Sequence, residues 1–94
     1  MKIRFYIDPE TKQPHIYNHD VDESEVETIL KKPGEDRPGR ESSRVAIGRT
    51  KNGRFLRVIY VPDTEPDSIF VITAYDLKSK PLKAYKKRLK KKGK

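Results

Sequence analysis

The 94-residue chain has no cysteine. Neither disulfides nor a thiolate metal site can brace it, and the fold must hold by packing and hydrogen bonding alone. The same absence fits a reducing cytosol. Nowhere do the roughly 18 to 20 consecutive apolar residues of a membrane span occur, and the opening MKIRFYIDPE has no apolar leader segment. The expectation is a soluble, untargeted, cytoplasmic protein. No Gly-rich phosphate loop, Ser-His-Asp pattern, paired catalytic carboxylates or internal repeat can be argued. With 33% hydrophobic residues, there is material for one small core that buries roughly 60 to 65% of the unfolded surface. A single domain over residues 1–90 follows, with 91–94 as a frayed basic tail.

Acids are absent from one segment. Residues 78–94, KSKPLKAYKKRLKKKGK, hold ten lysines or arginines and no acid, whereas residues 1–77 hold twelve basic and fourteen acidic side chains. The two parts balance to +10 and −2, which sum to the net +8. Such asymmetry points to a polyanion. A membrane-surface helix would need a bulky apolar face, and only Leu82, Ala84, Tyr85 and Leu89 are available, so nucleic acid is the better match. The alternative is a solubilising tail.

Alternation of Ile3, Phe5 and Ile7 with Lys2, Arg4 and Tyr6 predicts a strand that ends at Asp8-Pro9. HIYNHDV reads as a second short extended piece. Asp22 and Glu25 have capping-box spacing, Val26, Ile29 and Leu30 form a narrow stripe, and Lys31-Lys32-Pro33-Gly34 closes a helix over 22–31. Residues 33–43, rich in proline, glycine and mixed charge, read as a mobile surface loop. Arg44–Thr50 and Phe55–Pro62 flank Lys51-Asn52-Gly53-Arg54, a hairpin signal, and a third strand follows at Ile69–Tyr75. The last segment turns helical, with Leu82, Tyr85 and Leu89 on one side. The fold class is α+β: a twisted, mostly antiparallel sheet, one helix after the first strand and a basic C-terminal helix.

If Asn52-Gly53 is a two-residue loop, Gly48 faces Arg57, Ala46 faces Ile59 and Ile47 faces Val58. Arg57 would then sit over a shallow hollow lined by Gly48 and Ala46. With Val61 opposite Ile69, Thr73 and Tyr75 join that face near Arg57 and Phe55. An arginine at the centre of FLRVIYV is costly to desolvate unless it meets an anion or lies at a wet cleft. The plainer reading is an arginine on an open sheet face, paired with a carboxylate. Arg44, Arg49 and Arg54 lie on or beside the hairpin, and Tyr75, Lys78, Lys80, Lys83, Tyr85 and Lys87 follow. Guanidinium forks match phosphate and tyrosines stack on unpaired bases, which points to single-stranded RNA. His15 and His19 are either acid–base candidates or loop residues that hydrogen-bond locally. Two histidines without cysteine or a carboxylate cluster fall short of a zinc site, so no metal or other cofactor is expected. Glu23, Glu25 and Glu27 read as the solvated helix face.

The element order, together with GRTKNGRFLRVIYV, FVITAY and the lysine-rich segment that carries Tyr85, resembles the RelE/ParE superfamily of bacterial toxins. The opening FYIDPETKQPHIYNHDVDESEVETIL is similar to that of its BrnT-like branch, where a strand ending in Asp-Pro precedes a histidine and an amphipathic helix. The resemblance covers most of residues 3–88. It implies a toxin of a toxin–antitoxin pair, an endoribonuclease that cuts mRNA, in RelE's case in the ribosome, by attack of the 2′-hydroxyl on the adjacent phosphate. On that resemblance Arg57 would stabilise the transition-state phosphate. Tyr85 would stack on or exchange a proton with the substrate, and His19 matches the branch's histidine. Tyr75 stands near the end of the last strand, where such chains carry an arginine, and is followed by Asp76. This departure leaves open a non-catalytic RNA- or ribosome-binding module, and ParE relatives, which attack gyrase, leave open a protein target. A cognate antitoxin would be the implied protein partner.

Overall fold

The computed structural model describes residues 2–92. Five strands form one mixed sheet in the order β1-β5-β4-β3-β2, with β1 at Lys2–Phe5, β2 at Glu35–Pro38, β3 at Arg44–Arg49, β4 at Phe55–Pro62 and β5 at Ser68–Asp76. Only β1 runs parallel to its neighbour, β5. Helix α1 (Glu23–Lys31) follows the first strand, and α2 (Ser79–Lys92) closes the chain. The α+β architecture read from the sequence is the one observed.

Helix α1 starts where its capping box requires. Asp22 Oδ1 accepts from the Glu25 N–H at 2.9 Å, and Glu25 Oε1 accepts from the Asp22 N–H at 3.1 Å, which satisfies two amide donors that the first turn would otherwise orphan. Val26 and Ile29 are then buried on one sheet face with Ala46, Leu56, Val58, Tyr60, Val71 and Ala74. Gly48 makes this approach close: a methyl group there would stand 3.1 Å from Ile29 Cδ1. On the opposite face α2 lays Leu82, Tyr85 and Leu89 over Ile47, Val45, Phe55 and Leu77. Among the described residues no helix is long and apolar enough to cross a membrane.

Three sequence expectations are corrected. HIYNHDV is not extended; His15–His19 form a 3₁₀ turn that ends at Asp20, whose φ is 57°. Ile16 and Val21 are the buried residues of this stretch. Their odd spacing would put them on opposite sides of a strand, whereas the turn directs both into the core. Second, the 33–43 segment is not all loop, since Glu35–Pro38 pairs antiparallel with β3. Its charges and proline suit an outer strand, whose free edge they guard against further pairing. Third, the hairpin loop has three residues, Lys51-Asn52-Gly53. Thr50 N–H donates to Arg54 O at 2.8 Å, Gly53 N–H donates to Thr50 O at 3.0 Å, and Gly53 has φ 85°, the bulged turn that a left-handed glycine permits. Helix α2 runs through Lys92, and residues 93–94 of the expected frayed tail lie outside the described residues.

The third residue in that loop changes the register by one. Arg57 pairs with Ile47, while Gly48 pairs with Leu56 and Ala46 with Val58. A one-residue slip exchanges the faces of one strand relative to the other. Gly48 and Ala46 therefore belong to the α1 face, and no small-residue hollow lies under Arg57.

Candidate nucleic-acid interface

Arg57 sits on the α2 face of the sheet, in a row that runs Ile47, Arg57, Tyr75 across β3, β4 and β5. Ile47, at one end, is buried under α2 beside Tyr85. Tyr75, at the other end, lies in an open cleft of about 300 Å³ lined by His19, Asp20, Tyr75, Asp76 and Lys78. Val61 pairs with Phe70 rather than Ile69, and a bulge between Ile59 and Tyr60 shifts the β4–β5 register by one residue more. Tyr75 consequently faces Arg57 rather than Phe55, and Thr73 is its diagonal neighbour on the same face. The His19 and Tyr75 rings meet edge-on, with centroids 5.8 Å apart.

The arginines separate by partner. Arg54 is a structural clamp: its guanidinium donates to Asp76 at 2.7 Å, to Glu25 at 3.2 Å, and to the carbonyls of Asp20 at 2.6 Å and His19 at 3.0 Å. It thereby ties the end of the 3₁₀ turn to α1 and β5. Its N–H groups and charge hold the Asp76 carboxyl below the usual carboxylate range. Arg44 donates to Asp36 at 3.0 Å, and Tyr60 Oη donates to the same carboxylate at 2.6 Å. Arg4 pairs with Asp63 at 2.7 Å and Arg88 with Glu35 at 2.6 Å. Arg54 and Arg44 are thus engaged with acids, which removes them as free phosphate ligands. Arg49 is exposed, with its guanidinium 5.7 Å from the Phe55 ring centroid.

Arg57 differs from these. Its Nε is buried with no hydrogen-bond partner, as is Thr73 Oγ1, and among the described residues it makes no ion pair. The carboxylate that the plainer sequence reading would pair with it is not there.

Tyr85 is corrected most plainly. It is 2% exposed, its ring packs edge-on against Phe55 at 6.1 Å, and its hydroxyl lies where a side chain on Gly34 would begin. Burial pushes its hydroxyl pKa upward. Tyr85 locks α2 to the sheet and has no face left for a base. Lys78 joins the cleft. Lys80 is exposed in the first turn of α2, and Lys83 and Lys87 lie with Lys86 and Lys90 around Ala84 on the outward side of that helix.

Sequence reasoning missed three neighbours of the cleft. Asp8 accepts from Asn18 Nδ2 at 2.9 Å and lies 3.3 Å from His15 Nδ1. Asp20 and Asp76 line the cleft itself. The Asp-Pro turn before the histidines was the available signal for Asp8, but its closure onto His15 depends on the Ile7–Pro14 bridge. Among the described residues no three His, Cys, Asp or Glu side chains group to hold a metal ion.

Neither the curated proteins nor the solved structures contain a match to the chain. The family model described as "Domain of unknown function (DUF4258)" matches residues 15–76. That span begins with the 3₁₀ turn and ends with β5, so it takes in His15, His19, Arg57 and Tyr75 and leaves out β1 and α2. Because the match covers well over half of its length, the chain belongs to the DUF4258 family.

Proposed function

We propose that this domain binds single-stranded RNA along the sheet face beside α2 and cleaves it by 2′-hydroxyl attack, as a RelE/BrnT-like toxin ribonuclease. The observation that carries the reading is Arg57. Five other arginines, Arg4, Arg37, Arg44, Arg54 and Arg88, each meet a carboxylate, whereas Arg57 is buried at Nε without one. Keeping such a charge costs stability unless an anion completes it, and a phosphodiester supplies planar-fork geometry and charge.

In this reading Arg57 stabilises the charge that develops on the attacked phosphate. His19 and Tyr75, in contact beside it, serve for proton exchange and base stacking. Lys78 and the outward lysines of α2 attract the backbone. Only RNA carries the attacking hydroxyl, which makes DNA a ligand at most.

The test is incubation of the purified protein with end-labelled single-stranded RNA in EDTA. The expected products carry a 2′,3′-cyclic phosphate and a 5′-hydroxyl, and their formation is lost in Arg57→Ala with the far-UV spectrum unchanged. Asp76 favours a second reading, because it places a carboxylate near the position of the arginine in RelE-like chains: a non-catalytic RNA-binding module. Salt-sensitive RNA binding without cleavage would select it. Growth arrest on expression with RNA left intact would instead point to a protein target.

A further inference from the structure

His15 lies one turn before His19 and outside the cleft lining. Its Nδ1 is 3.3 Å from Asp8 Oδ2. That carboxylate is itself fixed, accepting from the Glu10 N–H at 2.9 Å and Asn18 Nδ2 at 2.9 Å. Asn18 Nδ2 also lies 3.4 Å from that ring nitrogen, so Nδ1 is held between Asp8 and Asn18 and Nε2 is the nitrogen left to exchange a proton. The His15 and His19 rings meet edge-on with centroids 5.5 Å apart, and Tyr6 flanks His15 on its other side at 6.0 Å. The chain of rings Tyr6, His15, His19, Tyr75 thus joins an acid-backed imidazole to the cleft.

We propose that His15 is the general acid of the cleavage reaction, positioned by Asp8, with His19 as the general base. The inference rests on the ribonuclease reading above. The 2′-hydroxyl gives its proton to His19 as its oxygen bonds to phosphorus. The P–O5′ bond breaks, and the departing O5′ takes a proton from His15 Nε2. The products are a 2′,3′-cyclic phosphate and a 5′-hydroxyl. His19 ends protonated and His15 neutral, and solvent restores both. The pair divides the work by environment: His15 has Asp8 against it, while His19 has Tyr75 and the cleft's Lys78, Asp20 and Asp76 around it.

The test compares two substrates in EDTA across pH. One is RNA, whose 5′-oxygen leaves poorly without a proton. The other is a uridine 3′-(4-nitrophenyl phosphate), whose leaving group needs none. His15→Ala is expected to lose about 10²- to 10⁴-fold on RNA and to stay within several-fold of wild type on the activated ester. His19→Ala should lose activity on both. Asp8→Asn, which loosens the hold on His15, should lower RNA cleavage and leave the activated ester within several-fold of wild type. A His15→Ala variant with full activity on RNA, or equally impaired on both substrates, overturns the assignment while the ribonuclease reading stands. A wild-type protein inert toward both substrates overturns both.

Discussion

Replacing Arg54 with methionine tests the account of what holds the cleft together. The guanidinium satisfies the carboxylates of Asp76 and Glu25 and the carbonyls of His19 and Asp20, so one side chain joins β5, α1 and the 3₁₀ turn. Charge-assisted hydrogen bonds contribute about 1.5 to 3 kcal/mol each. The Arg54 side chain is 26% exposed, which lets water replace part of what is lost. Methionine also keeps most of the apolar stem. A net loss of about 2 to 3 kcal/mol follows, and for a domain of this size it lowers Tm by roughly 10 to 20 °C. The acid limb of stability should change as well. Because Asp76 has a depressed folded-state pKa, its contribution is full above the ordinary carboxylate value near 3.9 and is lost as pH falls below it. In Arg54→Met that part of the acid slope disappears. Thermal melts followed by circular dichroism at pH 7 and at steps down to pH 3 measure both. A variant that melts with the wild type at pH 7 and shows the same acid slope would refute the clamp.

Other substitutions probe the remaining joints. Gly34→Ala places a methyl on the Tyr85 hydroxyl and should destabilise by about 1 to 3 kcal/mol in urea titration; adding Tyr85→Phe, which removes that oxygen, should recover part of the loss. Arg57→Met should leave stability unchanged or raise it by up to about 1 kcal/mol, since it removes a guanidinium whose Nε is buried without a partner. The same variant should weaken RNA binding in fluorescence anisotropy. Lys83→Gln with Lys87→Gln should lower the slope of log affinity against log salt by about 1.4, at roughly 0.7 per phosphate contact.

Helix α1 was legible because its signals are local: the cap, the stripe and the closing Pro-Gly act within one another's reach. Strands β4 and β5 were legible from β-branched and aromatic content. The hairpin register was not, because both sheet faces are covered. Ile47 is buried beneath α2 and Ala46 beneath α1, so a slip by one residue leaves no obvious apolar exposure to object to. Strand β2 was hidden because an outer strand of charges and proline reads as a loop. Tyr85 was misassigned despite a usable signal, for its spacing with Leu82 and Leu89 is the same stripe that packs α2 down.

The chain's order of residues decided the separation of charge, the boundaries of α1 and the amphipathic side of α2, since each depends on neighbours a few positions apart. Which of Arg54 and Arg57 meets an acid was decided only by the fold. Arg54 and Arg57 are three residues apart in the same basic stretch, yet Asp76 and Glu25 reach Arg54 from 22 and 29 positions away. Packing brings those carboxylates to one side chain and buries the Nε of the other without one. A guanidinium's partner is set by distance in space, and no local pattern records it.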